Sequence, residues 1–232
     1  MHAISTLLLF MFWQIPGVST PPVLLVTGNS QVFVTPDQAT VRLGIVRQSA
    51  NAQTAQEQAN VVAQEILNTI AKVGVPPSQI QTTRLVLTPV YAPRSPDSRD
   101  APRIVAYNAT NSVSVRLENL SVIGPVIDAG LKAGANQLEG VQFGLRNDLP
   151  SRQQALKQAV EEARSKAQTM ADALRVNLVE VLEASEGGVS IVGDSIEPLA
   201  GRVMALTAET PVSPGQIRVN ANVTIRYRIT PK

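Results

Sequence analysis

Two close carboxylate pairs carry what acid–base potential this chain has. Glu161 and Glu162 are adjacent, and Asp97 and Asp100 fall within one short segment. Paired carboxylates can divide general-acid and general-base work when their surroundings drive their pKa values apart. Neither pair has such surroundings. Glu161 and Glu162 sit beside Arg164 and Lys166 in a helical stretch and read as a solvated face. Asp97 and Asp100 sit among Arg94, Arg99 and Arg103 in a proline-rich loop. Cysteine is absent and the sole histidine is His2, inside an apolar leader. A chain that has lost that leader can build no Cys-His or Ser-His-Asp nucleophile, no Cys/His zinc site and no disulfide. There is no GxGxxG and no Walker-type loop, so nucleotide binding has no support. The expectation is a non-enzymatic protein with no catalytic residue, no metal site and no cofactor.

The leader gives an address. Residues 3–13 are apolar except for Ser5 and Thr6, and Gly17-Val18-Ser19 follows. A short apolar run before small residues is the pattern of a secretory signal peptide. It predicts removal of residues 1–19 and a periplasmic or secreted protein. No Lys or Arg precedes the run, so an uncleaved N-terminal membrane anchor is the alternative. No Cys follows it, which excludes a lipoprotein anchor. The 232 residues, 44% of them apolar and 16% charged, suffice for a packed core without staples. A net charge of +2 and 3% aromatics argue against nucleic-acid binding. No linker divides residues 20–232, which read as a single domain.

The elements that would position any site follow from periodicity. Residues 23–34 read as a strand broken at Gly28-Asn29, and residues 39–48 place Val41, Leu43 and Ile45 on one face. Pro36-Asp37 between them predicts a hairpin, with Asp37 making a local turn bond. Residues 53–73 carry an apolar helical stripe, capped by Asn51 and ended by Gly74. Residues 79–91 and 104–118 are strands flanking the loop 92–102. Tyr107 and Asn111 share the inward parity of the second, which predicts core packing with one buried polar bond. Ser121 is placed as cap of a short helix, 138–145 is a strand, and Asp148 and Pro150 open a helix to about Arg175. Ala155, Ala159, Ala163, Ala167 and Ala171 form one row of that helix, which would let it lie close to its neighbour. A strand at 177–185 follows. Residues 217–229 alternate apolar and polar without a break. Together these predict an α+β fold: a mixed, largely antiparallel sheet with about three helices packed on one face.

One stretch does not fit. Residues 187–214 are rich in Gly and Pro, yet hold Ile191, Val192, Ile196, Leu199, Val203, Met204 and Leu206. An irregular loop with that many large apolar residues either packs on its own sheet or contacts a partner. These seven are the candidate partner-contact residues.

Several segments resemble one family. Gly28, Ser30, Val32, Pro36, Asp37 and Ala39 follow the opening pattern of the SIMPL domain family, long described as a domain of unknown function. Tyr107, Ala109, Asn111, Val113 and Val115 follow its strand pattern, and Gly134 to Phe143 its turn-and-strand pattern. The alanine-rich helix and residues 212–227 extend the likeness to about residues 23–229. The resemblance implies an exported, non-enzymatic protein with helices packed on a sheet. It also implies association with the cell envelope and stress tolerance, in some relatives with ring- or channel-like oligomers. The family has no agreed catalytic residues to carry over.

The leading expectation is therefore a self-assembling structural or interaction protein of the envelope, a homo-oligomer working through sheet edges and the 187–214 loop. An envelope protein or a membrane surface is the other partner class. The alternative is a periplasmic small-ligand or lipid-binding module with a groove between helix and sheet.

Overall fold

The computed structural model describes residues 21–93, 101–193, 195–196 and 212–232. Expectations for residues 1–19, for Asp97 and Asp100, and for Leu199, Val203, Met204 and Leu206 lie outside them. In chain order the elements are β1 (Val23–Val34), β2 (Gln38–Ser49), α1 (Ala52–Lys72), β3 (Ile80–Tyr91), β4 (Ile104–Leu117), α2 (Ile123–Lys132), β5 (Gln137–Gly144), α3 (Leu149–Leu174), β6 (Val176–Val192), β7 (Ser195–Ile196) and β8 (Ile217–Pro231).

The fold is α+β with three helices, as the periodicity predicts. Every strand pairing is antiparallel, and the strands divide between two sheets. One sheet runs β1-β8-β6 and the other β3-β4-β2-β5-β7. Each has its own core. α3 covers the three-stranded sheet, burying Val26, Val219, Val223 and Ile225 under its alanines. α1 and α2 cover the five-stranded sheet, burying Leu43, Ile45, Val113 and Val115 with Ile66, Ile70 and Ile127.

The expected hairpin of residues 23–48 does not form. β1 pairs with β8 and β2 with β4 and β5, so Pro36-Asp37 carries the chain from one sheet to the other. Turn chemistry is local, whereas β8 supplies a full-length partner for β1 from the far end of the chain. Asp37 makes no local turn bond. Its carboxylate accepts the Arg146 backbone N–H at 2.8 Å, and its own N–H donates to the Gly144 carbonyl at 3.2 Å. It stitches the two crossovers between the layers together.

Helix ends follow capping rules where the sequence offers a capping group. Asn51 accepts the N–H groups of Gln53 and Thr54 at 2.8 and 3.1 Å, which fixes the start of α1. At α2 the expected role of Ser121 falls to Asn119. Its carboxamide oxygen accepts both the Ser121 N–H and the Ser121 hydroxyl, which orders a 3-10 turn leading into the helix. Asp148 pairs with Arg152 at 2.8 Å and makes no cap bond.

β1 is continuous through Gly28. A Cβ there would strike the Ala159 carbonyl and stand 2.6 Å from the Ala163 nitrogen and 2.8 Å from the Ala163 Cβ. Gly28 and the alanine row together let α3 rest directly on the strand. Ser30 confirms the contact by donating its hydroxyl to the Ala155 carbonyl at 2.6 Å.

Candidate functional site: an open ribbon and a polar sheet face

Three of the candidate contact residues fall within the described chain. β6 runs well past 185, so Ile191 and Val192 are strand residues, and Ile196 lies in β7. Ile191 packs against the core under α3, while Val192 is 51% exposed. Part of the anomalous apolar content thus packs on its own sheet. The sequence hides the extension because β6 carries three bulges, near Val179, Leu182 and Gly187. Each inserts one residue and breaks the period of two without turning the strand over.

Unpaired sheet edges are templates for association, so their treatment is informative. On β1 the side facing away from β8 is engaged by α3 at Thr27 and Asn29. The Asn29 N–H donates to the Glu162 carboxylate, and Lys166 donates to the Thr27 carbonyl at 3.1 Å. The same two side chains pair at 2.9 Å. On β6 the three bulges roughen the edge. β7 has two residues. β3 is a 12-residue edge strand with a bulge at Thr83 and a shift beside Tyr91, and among the described residues no strand pairs with its free side.

The face of β3 is also apolar. Leu85 and Leu87 stand opposite Asn111 and Ala109 of β4, on the side that α1 covers. α1 lies chiefly over β4 and β2, which leaves Leu85 60% and Leu87 43% exposed. They form a ledge continuous with the core. Farther out Tyr91, Ile104 and Val105 are exposed on the same two-stranded ribbon. The period of residues 79–91 announces a strand, but nothing in it announces that its inward side lacks a cover.

The three-stranded sheet presents an unusual outer face, opposite α3. Its rows are set by the β1-β8-β6 register. Three central rows contain only small or polar uncharged residues: Thr27, Thr224 and Ser185, then Asn29, Asn222 and Gly188, then Gln31, Asn220 and Ser190. Asn222 donates to Asn29 at 2.7 Å and Gln31 to Asn220 at 3.2 Å. With Gly187 and Gly188 adding no side chain, this surface sinks into an open trough of about 700 Å3. Charge appears only beyond it. At one end Arg226 pairs with Glu183 at 3.3 Å and Arg228 with Glu180 at 3.0 Å. At the other the Arg218 guanidinium lies over the Phe33 ring, 5.8 Å from its centroid. In the sequence these polar residues show only as the wet half of an alternating strand.

The described carboxylate pair is structural. Glu161 faces Lys157 at 4.0 Å. The hydrogen bond from Lys166, then that from the Asn29 N–H, holds the Glu162 carboxyl below the ordinary glutamate range. Gln168 and then Lys232 do the same for Asp172. Both shifts favour a fixed charge, the reverse of what a proton-transfer group needs. Tyr107 packs at the edge of the larger core. Asn111 is 2% exposed and donates to Asn60 at 3.2 Å, and its own oxygen has no partner. Among the described residues no group of three or more His, Cys, Asp or Glu could hold a metal ion, and no helix is long and apolar enough to cross a membrane.

Known proteins resemble this chain in sequence. The chain is 29% identical over 238 residues to the 26 kDa periplasmic immunogenic protein of Brucella melitensis, covering 97% of this chain and 94% of that one. It is 31% identical over 157 residues to the uncharacterized protein YggE of Escherichia coli strain K12, covering 65% and 60%. The YggE protein of Edwardsiella ictaluri is 25% identical over 165 residues, covering 71% and 68%. The profile of the SIMPL family, described as protein of unknown function (DUF541), matches residues 24–227. With nearly all of the two-layer fold inside that match, the chain belongs to the SIMPL family.

Proposed function

We propose that this protein is an exported, periplasmic and non-enzymatic component of the cell envelope that assembles with copies of itself. One observation carries the reading. Among the described residues no strand pairs with the free side of β3, and its inner face, Leu85 and Leu87, continues the core into solvent. Glu162 and Lys166 engage the β1 edge, and β6 is broken by three bulges where β3 carries one at Thr83 and a shift at its end beside Tyr91, so the sheet edges are not equivalent. A second copy laid against β3 would pair its backbone and bury the ledge in one step. Val192, at the end of β6, adds a smaller exposed apolar point. The periplasmic address rests on the name of the Brucella relative and on the apolar leader. A link to envelope stress tolerance belongs to the same reading and rests on the family resemblance alone.

The test is the mass of the purified protein by light scattering, beside a Leu85→Lys/Leu87→Lys variant. The reading expects a mass several times the 24.7 kDa of one chain, and a fall toward a single chain in the variant. A wild-type chain that stays monomeric at high concentration refutes it.

A second reading, a small-ligand or lipid-binding module, draws on a cleft of about 340 Å3 between α3 and β1. Leu25 and Met170 line it and Lys166 stands at its edge. It predicts a ligand-dependent rise in Tm with a lipid or metabolite panel. No shift with any panel member would count against it.

A further inference from the structure

We propose that the outer face of the three-stranded sheet binds an uncharged oligosaccharide strand. The trough there has a chemical character found nowhere else among the described surfaces. Asn29, Gln31, Asn220 and Asn222 place four carboxamides on two adjacent strands, and Ser190 adds a hydroxyl from the third. A carboxamide carries two N–H donors and a carbonyl acceptor, and a hydroxyl both donates and accepts. The bonds within the ladder, Asn222 to Asn29, Gln31 to Asn220 and a long one from Asn220 to the Ser190 hydroxyl at 3.5 Å, each engage one N–H. They hold the side chains in fixed poses and leave most of their hydrogen-bonding capacity for a ligand. A fixed array of mixed donors and acceptors suits a ligand with many hydroxyl or acetamido groups.

Charge excludes the other classes. No ionised side chain lies within the trough, and the nearest are engaged: Arg226 with Glu183, and Arg218 with Phe33. A phosphate or carboxylate polymer would meet no cation there. A lipid would meet a floor that is only half apolar and set with carboxamides. A peptide strand takes its affinity from a sheet edge, and this surface is a sheet face.

The sequence makes sacrifices to build this surface. Asn and Gly are poor strand formers, yet here they occupy the middles of β1, β8 and β6. Glycine in a strand interior marks a bulge or a close approach by another molecule. Here they form a bulge: a Cβ on Gly187 would strike the Asn222 carboxamide, and Gly188 adopts a positive φ of 112° that favours glycine. Two residues along a strand span about 7 Å and neighbouring strands lie about 4.8 Å apart, so three rows on three strands offer a field of roughly 14 by 10 Å. That is an extended footprint, suited to a chain of sugar rings.

The experiment is a calorimetric titration of the protein with chitohexaose and, separately, maltohexaose. Saturable binding of at least one is expected, unchanged from low to high salt because no ion pair contributes. Asn220→Val removes a carboxamide while keeping strand propensity, and Ser190→Trp fills the trough from β6. Each is expected to weaken binding about tenfold or more while leaving the circular dichroism and Tm near wild type. The Leu85→Lys/Leu87→Lys variant, altered on the other sheet, should bind as wild type does. Absence of binding to both glycans, binding abolished by salt, or binding untouched by both trough substitutions would overturn the proposal.

Discussion

The closest contact between layers makes the sharpest prediction. Gly28→Ala adds one methyl group where β1 meets α3. The new Cβ would stand 2.6 Å from the Ala163 nitrogen and 2.8 Å from its Cβ, with the Ala159 carbonyl nearer still. Ordinary contact begins near 3.4 Å, so clearing the Ala163 nitrogen alone takes a retreat of about 0.8 Å, and the nearer Ala159 carbonyl takes more. All three obstacles are backbone or Cβ atoms, and no rotamer change relieves them. The retreat also stretches the Ser30 to Ala155 hydrogen bond and loosens the alanine row. Overpacking of this kind costs about 1–3 kcal/mol, and a lost buried hydrogen bond adds about 1 kcal/mol. Against a typical total of about 5–15 kcal/mol, a loss near 3 kcal/mol should be plain in a urea titration. Gly144→Ala is the control, since a Cβ there meets nothing within 4 Å. It should fall within about 0.5 kcal/mol of wild type. If Gly28→Ala matches the control, direct seating of α3 on β1 is refuted.

Other predictions follow from single contacts. Glu162 has its folded pKa held below the ordinary 4.5, so its contribution is present at neutral pH and is lost as pH falls through the lower folded value. Glu162→Gln should remove that pH dependence and speed hydrogen exchange at the Asn29 amide, read by mass spectrometry or NMR; unchanged exchange would show that the bond does not protect the edge. Asn51→Ala should destabilise by about 1 kcal/mol through loss of the α1 cap, measured by chemical denaturation. Asn111→Val removes a buried oxygen without a partner, and stability should hold or rise by up to about 1 kcal/mol. Asp37→Ala breaks the stitch to Arg146 and should cost about 1 kcal/mol by the same titration.

How much of this was legible depends on whether the determining contact is local. β8 reads plainly, because strict alternation from Ile217 onward needs only its own residues. The alanine row of α3 reads as a close-packing face for the same reason, and Asn51 as a cap. The partner of β1 does not read at all. Its flank at Pro36-Asp37 looks like a turn, while β8 lies at the other end of the chain. β6 misleads in a third way: Gly187-Gly188 resembles a strand end, and only pairing with β8 shows it to be a bulge. The candidate surfaces are the least legible part. Leu85 and Leu87 have the pattern of buried residues, and their exposure depends on where α1 stops. The Asn and Gln residues of the trough acquire meaning only when three distant segments bring them into rows.

The place of β8 sets the order in which the molecule can be completed. A chain made or translocated from its N-terminus delivers β1 first, yet β1 pairs with no other strand until β8 arrives, Val23 finding Arg228. β6 must wait for the same strand. The other layer has β2 through β5 in hand before α3 emerges, and can close early. So a chain interrupted before Ile217 would hold one half with most of its strands paired and one half with none. Its exposed β1 and β6 would be targets for chaperones and proteases, and loss of residues 217–232 should be far more damaging than their number suggests.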